Sequence, residues 1–364
     1  MRTYQCLCGS PLFFDNSLCL NCGREVGYCA ACRDIVALIP DEQGGYHCGN
    51  VDCSASLVKC VNYAQHQVCN RCLVASPAEA EGLCDCCRFN RTIPDLTVPG
   101  NLSKWYRLEA AKRRLFYDLK QLGLPYGTAA DGIEPSLAFD FKADTIGKKR
   151  FWRSMANEER VYTGHADGLI TINISEADDV KRETMRVVLG ENKRTLIGHF
   201  RHEIGHFYWD VLIKGRREDG FKQLFGDHEQ PTYADALDWY YEHGAPDDWA
   251  TRHITAYASM HPWEDFAETW AVYLAMISQL DTACHVGFGG ESDPVHANPD
   301  WMIVRYQQLG VALNEMNRSM GLGDIVPEIF VGPVVEKIRY IHDLVQQGRA
   351  ENGALNLQSQ TQNA

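Results

Sequence analysis

The sequence predicts an α+β chain: a cysteine-rich N-terminal region of small modules over residues 1–95, then a mainly helical domain with a small sheet over 100–350. Three observations lead there. Of 15 cysteines, 14 fall within the first 87 residues, as short pairs between turn-rich stretches. Beyond residue 100, apolar residues recur at helical spacing in several long segments. Within that part "DGLITINI" (167–174) alternates β-branched and polar residues, as a half-buried strand does.

The cysteine pairs come first. "CLC" supplies Cys6 and Cys8, "CLNC" Cys19 and Cys22, "CAAC" Cys29 and Cys32, "CGNVDC" Cys48 and Cys53, "CNRC" Cys69 and Cys72, and "CDCC" Cys84, Cys86 and Cys87. Two short knuckles separated by a loop suit a tetrahedral zinc ion with four thiolates, and metal binding then supplies folding energy that a small core lacks. The spacing groups Cys6, Cys8, Cys19 and Cys22 as one zinc ribbon and Cys29, Cys32, Cys48 and Cys53 as a second, the latter with a wider gap between its last two thiols. Cys69, Cys72, Cys84 and Cys87 form a third set, in which Cys86 can replace Cys87 and Cys60 or His66 can enter; otherwise Cys60 and Cys284 read as ordinary cysteines. Disulfides are the competing reading. The start, "MRTYQCLCGS", has no apolar run and no secretory signal, and no stretch of 18 apolar residues exists, so a cytoplasmic protein without a membrane span is expected. In that compartment dense cysteine points to metal.

"TIPDLTVPGN" (92–101) reads as a linker. A helix is expected from Asn101 to Gly123, another over 175–190 starting at Ser175, and a third from about Lys193 to Lys214. "HPWEDFAETWAVYLAMISQL" (261–280) has proline at its start and reads as a helix; two more follow near 299–319 and 333–347. The polar tail, 351–364, is expected to be disordered.

The third of these helices holds "GHFRHEIGHFYWD" (198–210). Residues four apart share a helix face, so His202 and His206 can bind one metal, with Glu203 placed to act as general base on its water. The bland alternative is a core helix with hydrogen-bonded histidines. Catalytic zinc usually takes three protein ligands. No glycine and histidine follow His206 at the offsets a third histidine would need, which leaves a carboxylate. Glu264 and Glu268, one turn apart on an aromatic helix, are candidates for ligand and for acceptor of a ligand histidine's ring N–H; periodicity does not separate them. Asp227 and His228 in "GDHE" rank behind, lying in a loop with no such acceptor.

"HEIGH" followed much later by "EDFAE" resembles the gluzincin metallopeptidases. With "CLCG…CLNCG", "TGHADGLITINISEADD" and "RTLIGHFRHEIGHFYWD", the chain resembles, over nearly its whole length before the tail, a bacterial family of zinc-binding metallopeptidases with N-terminal zinc-ribbon modules. The resemblance implies a gluzincin-type domain over 100–350, zinc ligands at His202, His206 and Glu264, and Glu203 as base. It implies that "GLITINI" is the edge strand above the cleft, pairing with an extended substrate. Tyr257, seven residues before Glu264, becomes either a donor to the oxyanion or a packed core tyrosine. His165, His199 and His261 are read as structural histidines near the cleft.

The function that follows is a zinc-dependent peptidase with one catalytic and two or three structural zinc ions, acting on a peptide or protein, whose ribbons recruit a protein partner or restrain the enzyme. A formal charge of -13 argues against nucleic acid and anionic membrane surfaces as partners. The competing function is a zinc-ribbon adaptor, binding protein or nucleic acid, with an inactive or autoinhibited peptidase-like domain; the intact Glu203 weighs against an inactive one.

Overall fold

The computed structural model describes residues 1–76, 82–144, 161–188, 194–289, 293–327 and 329–362. The first cysteine module is a two-strand antiparallel hairpin, β1 (Tyr4–Gln5) with β2 (Pro11–Leu12). A five-stranded closed barrel follows: β3 (Val26–Cys29), β4 (Ile35–Pro40), β5 (Tyr46–Cys48), β6 (Ser56–Lys59) and β7 (Arg71–Val74), with a one-turn helix α1 (Val61–Ala64) before the last strand. Neighbouring strands are antiparallel except where β7 closes the barrel parallel to β3.

β4 explains how two small modules share one strand. Successive side chains of a strand point to opposite faces. Val36 and Leu38 face the main core, while Ile35 and Ala37 face a second cluster with Val26, Tyr28, Leu12, Cys6 and Cys19. The run is therefore apolar at every position although the strand is antiparallel.

The second part opens with β8 (Asn90–Thr92), so the expected linker begins inside a strand. The long helix α2 (Asn101–Leu122) follows; it ends at Gly123, which adopts the left-handed conformation that closes helices. β9 (Ala138–Lys142), β10 (Gly164–Ala166) and β11 (Leu169–Asn173) complete a four-stranded sheet in the order β10-β11-β9-β8. The expected strand is thus β11, but it is internal; the edges are β10, its hairpin partner, and β8. The hairpin turns on Asp167–Gly168, both with positive φ, and a Cβ on Gly168 would meet the Ser136 carbonyl oxygen at 2.3 Å.

The remaining helices are α3 (Asp179–Val188), α4 (Leu196–Leu212), α5 (Glu218–Phe225), α6 (Tyr233–His243), α7 (Pro262–His285), α8 (Pro299–Ser319) and α9 (Gly332–Gln362). Ser175 sits in a 3-10 turn (Ile174–Ala177) ahead of α3, and the glycine expected to end that helix lies outside the described residues. The tail expected to be disordered continues α9 to Gln362. Arg217 pairs with Glu351, and the Asn352 side chain donates to the Gly123 carbonyl at 3.0 Å. Those contacts anchor the helix beyond its expected end near residue 347.

α4 crosses α7 at Gly205. A Cβ there would stand 3.0 Å from the Ala267 Cα and 3.2 Å from the Trp270 Cβ. The missing side chain lets the two backbones approach, which brings the polar face of α4 beside the first turns of α7. Among the described residues, no helix is long and apolar enough to cross a membrane.

Candidate metal centre and cleft

α4 starts at Thr195, whose hydroxyl accepts the Gly198 N–H at 3.1 Å. Phe200, Ile204, Phe207, Tyr208 and Leu212 enter the core. That orientation turns His202, Glu203, His206 and Asp210 toward a cleft of about 300 Å³. α7 starts at His261, whose Nδ1 accepts the Trp263 N–H at 3.2 Å, with Pro262 in the first turn. Glu264 follows in that turn and is 2% exposed.

His202, His206 and Glu264 converge. The two Nε2 atoms are 3.3 Å apart; His202 Nε2 is 2.9 Å from Glu264 Oε2 and His206 Nε2 is 3.5 Å from Glu264 Oε1. Three donors on one tetrahedral zinc stand about 3.3–3.4 Å apart, given metal–ligand bonds of about 2.0–2.1 Å. His202 Nδ1 lies 2.6 Å from Glu268 Oε1, and Thr255 donates to the other Glu268 oxygen at 2.8 Å. Glu268 thereby takes the Nδ1–H, which leaves Nε2, facing Glu264, as the atom that would ligate a metal. Glu264 Oε2 is buried with no hydrogen-bond donor. Lone pairs facing one another in a buried place need a cation among them, and this donor set fits zinc.

The charges agree. Burial disfavours ionised Glu264, but the two histidines outweigh it and hold the carboxyl well below its ordinary range. Burial works against an imidazolium at His202, yet Glu264 and Glu268 raise it well above its usual value; a bound metal ion would take the place of the proton between Nε2 and Glu264 and leave the ring neutral. Glu203 is pushed up by burial, the direction that suits a proton acceptor.

The other expected residues fall as follows. The Tyr257 ring lies 6.2 Å from the His202 ring and lines the cleft; burial, then the charge of Glu264, keeps its phenol protonated. His165 stacks on His206, its Nε2 accepting the Gly168 N–H at 3.0 Å. His199 faces Glu176, and Asp227 pairs with Lys222 at the surface. His228 packs against Trp209 and Trp263. Neither Asp227 nor His228 joins the metal-ligating group. Tyr233 went unread in the sequence: its hydroxyl donates to Glu264 Oε1 at 2.8 Å. It is one aromatic in a tyrosine-rich helix, with no spacing signal to mark it.

The cysteines gather in three groups. Cys6–Cys22 and Cys8–Cys19 are each 3.7 Å between sulfurs; Cys32–Cys48 is 3.7 Å and Cys29–Cys53 4.0 Å. Tetrathiolate zinc spaces its sulfurs about 3.8 Å apart, far beyond a disulfide. The third group is Cys60, Cys69, Cys84 and Cys87, with Cys60 in the place expected for Cys72. Cys72 lies within β7, in register with Cys29 of β3 and Lys59 of β6. Its sulfur packs over Gly27, 3.0 Å from where a Cβ would be, so the strand carries it away from the Cys69 knuckle.

Comparison with known proteins adds the following. A family model described as "putative zinc-binding metallo-peptidase" matches residues 101–344, and one described as a zinc-ribbon domain matches residues 3–98. Uncharacterized proteins of Mycobacterium tuberculosis and Mycobacterium bovis are each 36% identical over 356 residues, covering 95% of this chain and 96% of the relative. No solved structure matches.

Proposed function

The chain belongs to this zinc-binding metallo-peptidase family, and from that premise we propose that it is a zinc-dependent peptidase with His202, His206 and Glu264 as ligands of the reactive metal and Glu203 as general base. The observation that carries the reading is the meeting of three lone-pair donors, two half-buried histidines and the buried Glu264, beside a buried carboxylate of raised proton affinity, in one cleft.

A bound zinc ion supplies Lewis acidity and an acidified water. Glu203 takes a proton from the attacking water and hands it to the leaving amine. Glu268 fixes the tautomer and tilt of His202; Tyr233 fixes one oxygen of Glu264. Tyr257, a neutral phenol on the cleft wall, donates to the carbonyl oxygen as it gains charge. Thr163, Gly164 and His165 line the same cleft, and β10, among the described residues, is the edge strand on that side of the sheet. An extended peptide adds there as a further strand, its scissile bond led to Glu203. The first two cysteine groups, Cys6, Cys8, Cys19 and Cys22 and Cys29, Cys32, Cys48 and Cys53, hold structural zinc, and the ribbons engage a protein partner or restrain the enzyme.

The test uses zinc-loaded protein and a mixture of quenched fluorogenic peptides. The parent is expected to cleave, and Glu203→Gln to keep its zinc while losing about 10²- to 10⁴-fold in rate. Cleavage by Glu203→Gln at the parent's rate would remove Glu203 as the base.

A further inference from the structure

The third thiol group lies where the ribbon region meets the helical domain, and its surroundings differ from those of the other two. Cys8 and Cys22 are exposed, and Cys32 and Cys53 half-buried. Cys60, Cys69, Cys84 and Cys87 are all 2% exposed or less. Cys69 and Cys84 have sulfurs 3.8 Å apart, the edge of a tetrathiolate tetrahedron. Backbone N–H groups aim at the sulfurs: Arg71 donates to Cys69, Cys84 to Cys60 and Cys87 to Cys84, each at 3.4 Å. Donors pointed at sulfur favour thiolates over thiols.

Four thiolates around one zinc ion leave a net double negative charge. Buried, it needs positive partners. Three buried cations stand around the group: Arg71 from β7, and Lys112 and Arg113 from α2. One buried carboxylate, Glu109, opposes them, 3.1 Å from Lys112 and 3.9 Å from the Cys87 sulfur. Three positive charges less one leave two. Both arginines also meet partly exposed carboxylates, Arg71 with Asp85 at 2.8 Å and Arg113 with Asp15 at 3.9 Å, whose charge water screens. Burial opposes charge on each cation, and its neighbours prevail: Glu109, Cys86 and Cys87 for Lys112; Cys69 and Glu109 for Arg113; Asp85, Cys86 and Cys84 for Arg71.

The same helix reaches the histidine pair. Arg113 Nη1 donates to the Val68 carbonyl, beside Cys69, at 2.5 Å. Less than two turns on, buried Asp118 holds Arg201 at 2.9 Å, and Arg201 immediately precedes His202 on α4. We propose that Cys60, Cys69, Cys84 and Cys87 bind a third structural zinc that joins the ribbon region to α2, and that its loss loosens the helical domain. The proposal stands apart from peptidase activity; it concerns metal content and folding.

The experiment uses the full chain. With ¹¹³Cd in place of zinc, the parent should give three tetrathiolate NMR resonances, separate from that of the nitrogen–oxygen site; two would overturn the proposal without any variant. Cys60→Ser should then lose one tetrathiolate metal and melt, by helical circular dichroism, roughly 10 °C lower. Cys72→Ser should keep all its metal. Loss of a metal by Cys72→Ser and not by Cys60→Ser overturns the ligand set. Loss of a metal by Cys60→Ser with unchanged helical melting overturns the joint. Peptidase activity enters none of these readings, so failure of the proposed function leaves them intact.

Discussion

Gly205 of α4 rides so close on Ala267 of α7 that a Cβ on it would stand 3.0 Å from the Ala267 Cα. Gly205 lies between His202 and His206, and Ala267 lies between Glu264 and Glu268. The contact therefore sets the distance between the two halves of the metal centre.

Gly205→Ala should disturb that distance. Alanine gains about 1 kcal/mol of helix propensity. Against it, the obstacles are a backbone atom and the Trp270 Cβ, neither of which can swing aside, and overpacking of this kind costs about 1–3 kcal/mol. The net effect should be mild destabilisation with about 10-fold weaker zinc binding at the histidine site. Thermal melting and competition with a chromogenic chelator measure the two. Unchanged affinity would mean that α4 and α7 can part without moving the ligands.

The two glutamates of α7 should separate by severity. Glu264→Ala is expected to lose the histidine-site metal, because two histidines seldom hold catalytic zinc alone. Glu268→Ala should weaken binding by about 10- to 100-fold, through a freed His202 ring. Zinc titration of each full-length variant decides; the reverse order of severity would exchange their roles.

The two cleft tyrosines should divide in another way. Tyr233→Phe removes the donor to Glu264 and should show first in metal affinity, by a few-fold. Tyr257→Phe should leave metal affinity alone and lower kcat by about 10- to 100-fold. Measuring both quantities on both variants tests the split. A Tyr257→Phe enzyme with the parent's kcat would make this residue a wall of the cleft only.

One prediction concerns acid. Burial holds the His199 imidazole at about 3 against an ordinary 6.5, helped by the positive charges of Arg194 and His202. Glu176 is 3.4 Å away, but its other oxygen is already 2.8 Å from Arg194, so it offers the ring little. A base depressed in the folded state gives stability that is full above 6.5 and is lost as the pH falls toward 3. Urea unfolding of parent and His199→Gln at several pH values between 6.5 and 5 should show the variant taking up about one proton fewer on unfolding. Equal slopes would mean that His199 does not titrate with unfolding.

The histidine–glutamate centre was legible because a helix converts spacing into direction: residues 202 and 206, and 264 and 268, lie one turn apart. Which glutamate faces the paired Nε2 atoms was not in the periodicity. It appears in space, where Glu264 meets both Nε2 atoms and Glu268 meets Nδ1. The first two thiol groups were legible because each is a pair of local knuckles. The third was misread because Cys69 and Cys72 look like a knuckle, whereas a strand begins between them and turns Cys72 to another wall. Cys60 had no near partner in sequence; only the chain's return through α1 brings it beside Cys69. Tyr233 and the edge strand β10 depend on packing between distant segments, which no local pattern records.

β4 has a further consequence. Because the two faces of its first four residues, 35 to 38, belong to different cores, that part of the strand has no outside. A chain shortened to begin after Cys22 would keep the barrel's hydrogen bonds but uncover Val26, Tyr28, Ile35 and Ala37 together. Those side chains would form a sticky flank on an otherwise closed cylinder, and the truncated protein would be prone to self-association through it. The first twenty-odd residues thus also serve as a cover, whatever else their thiols do.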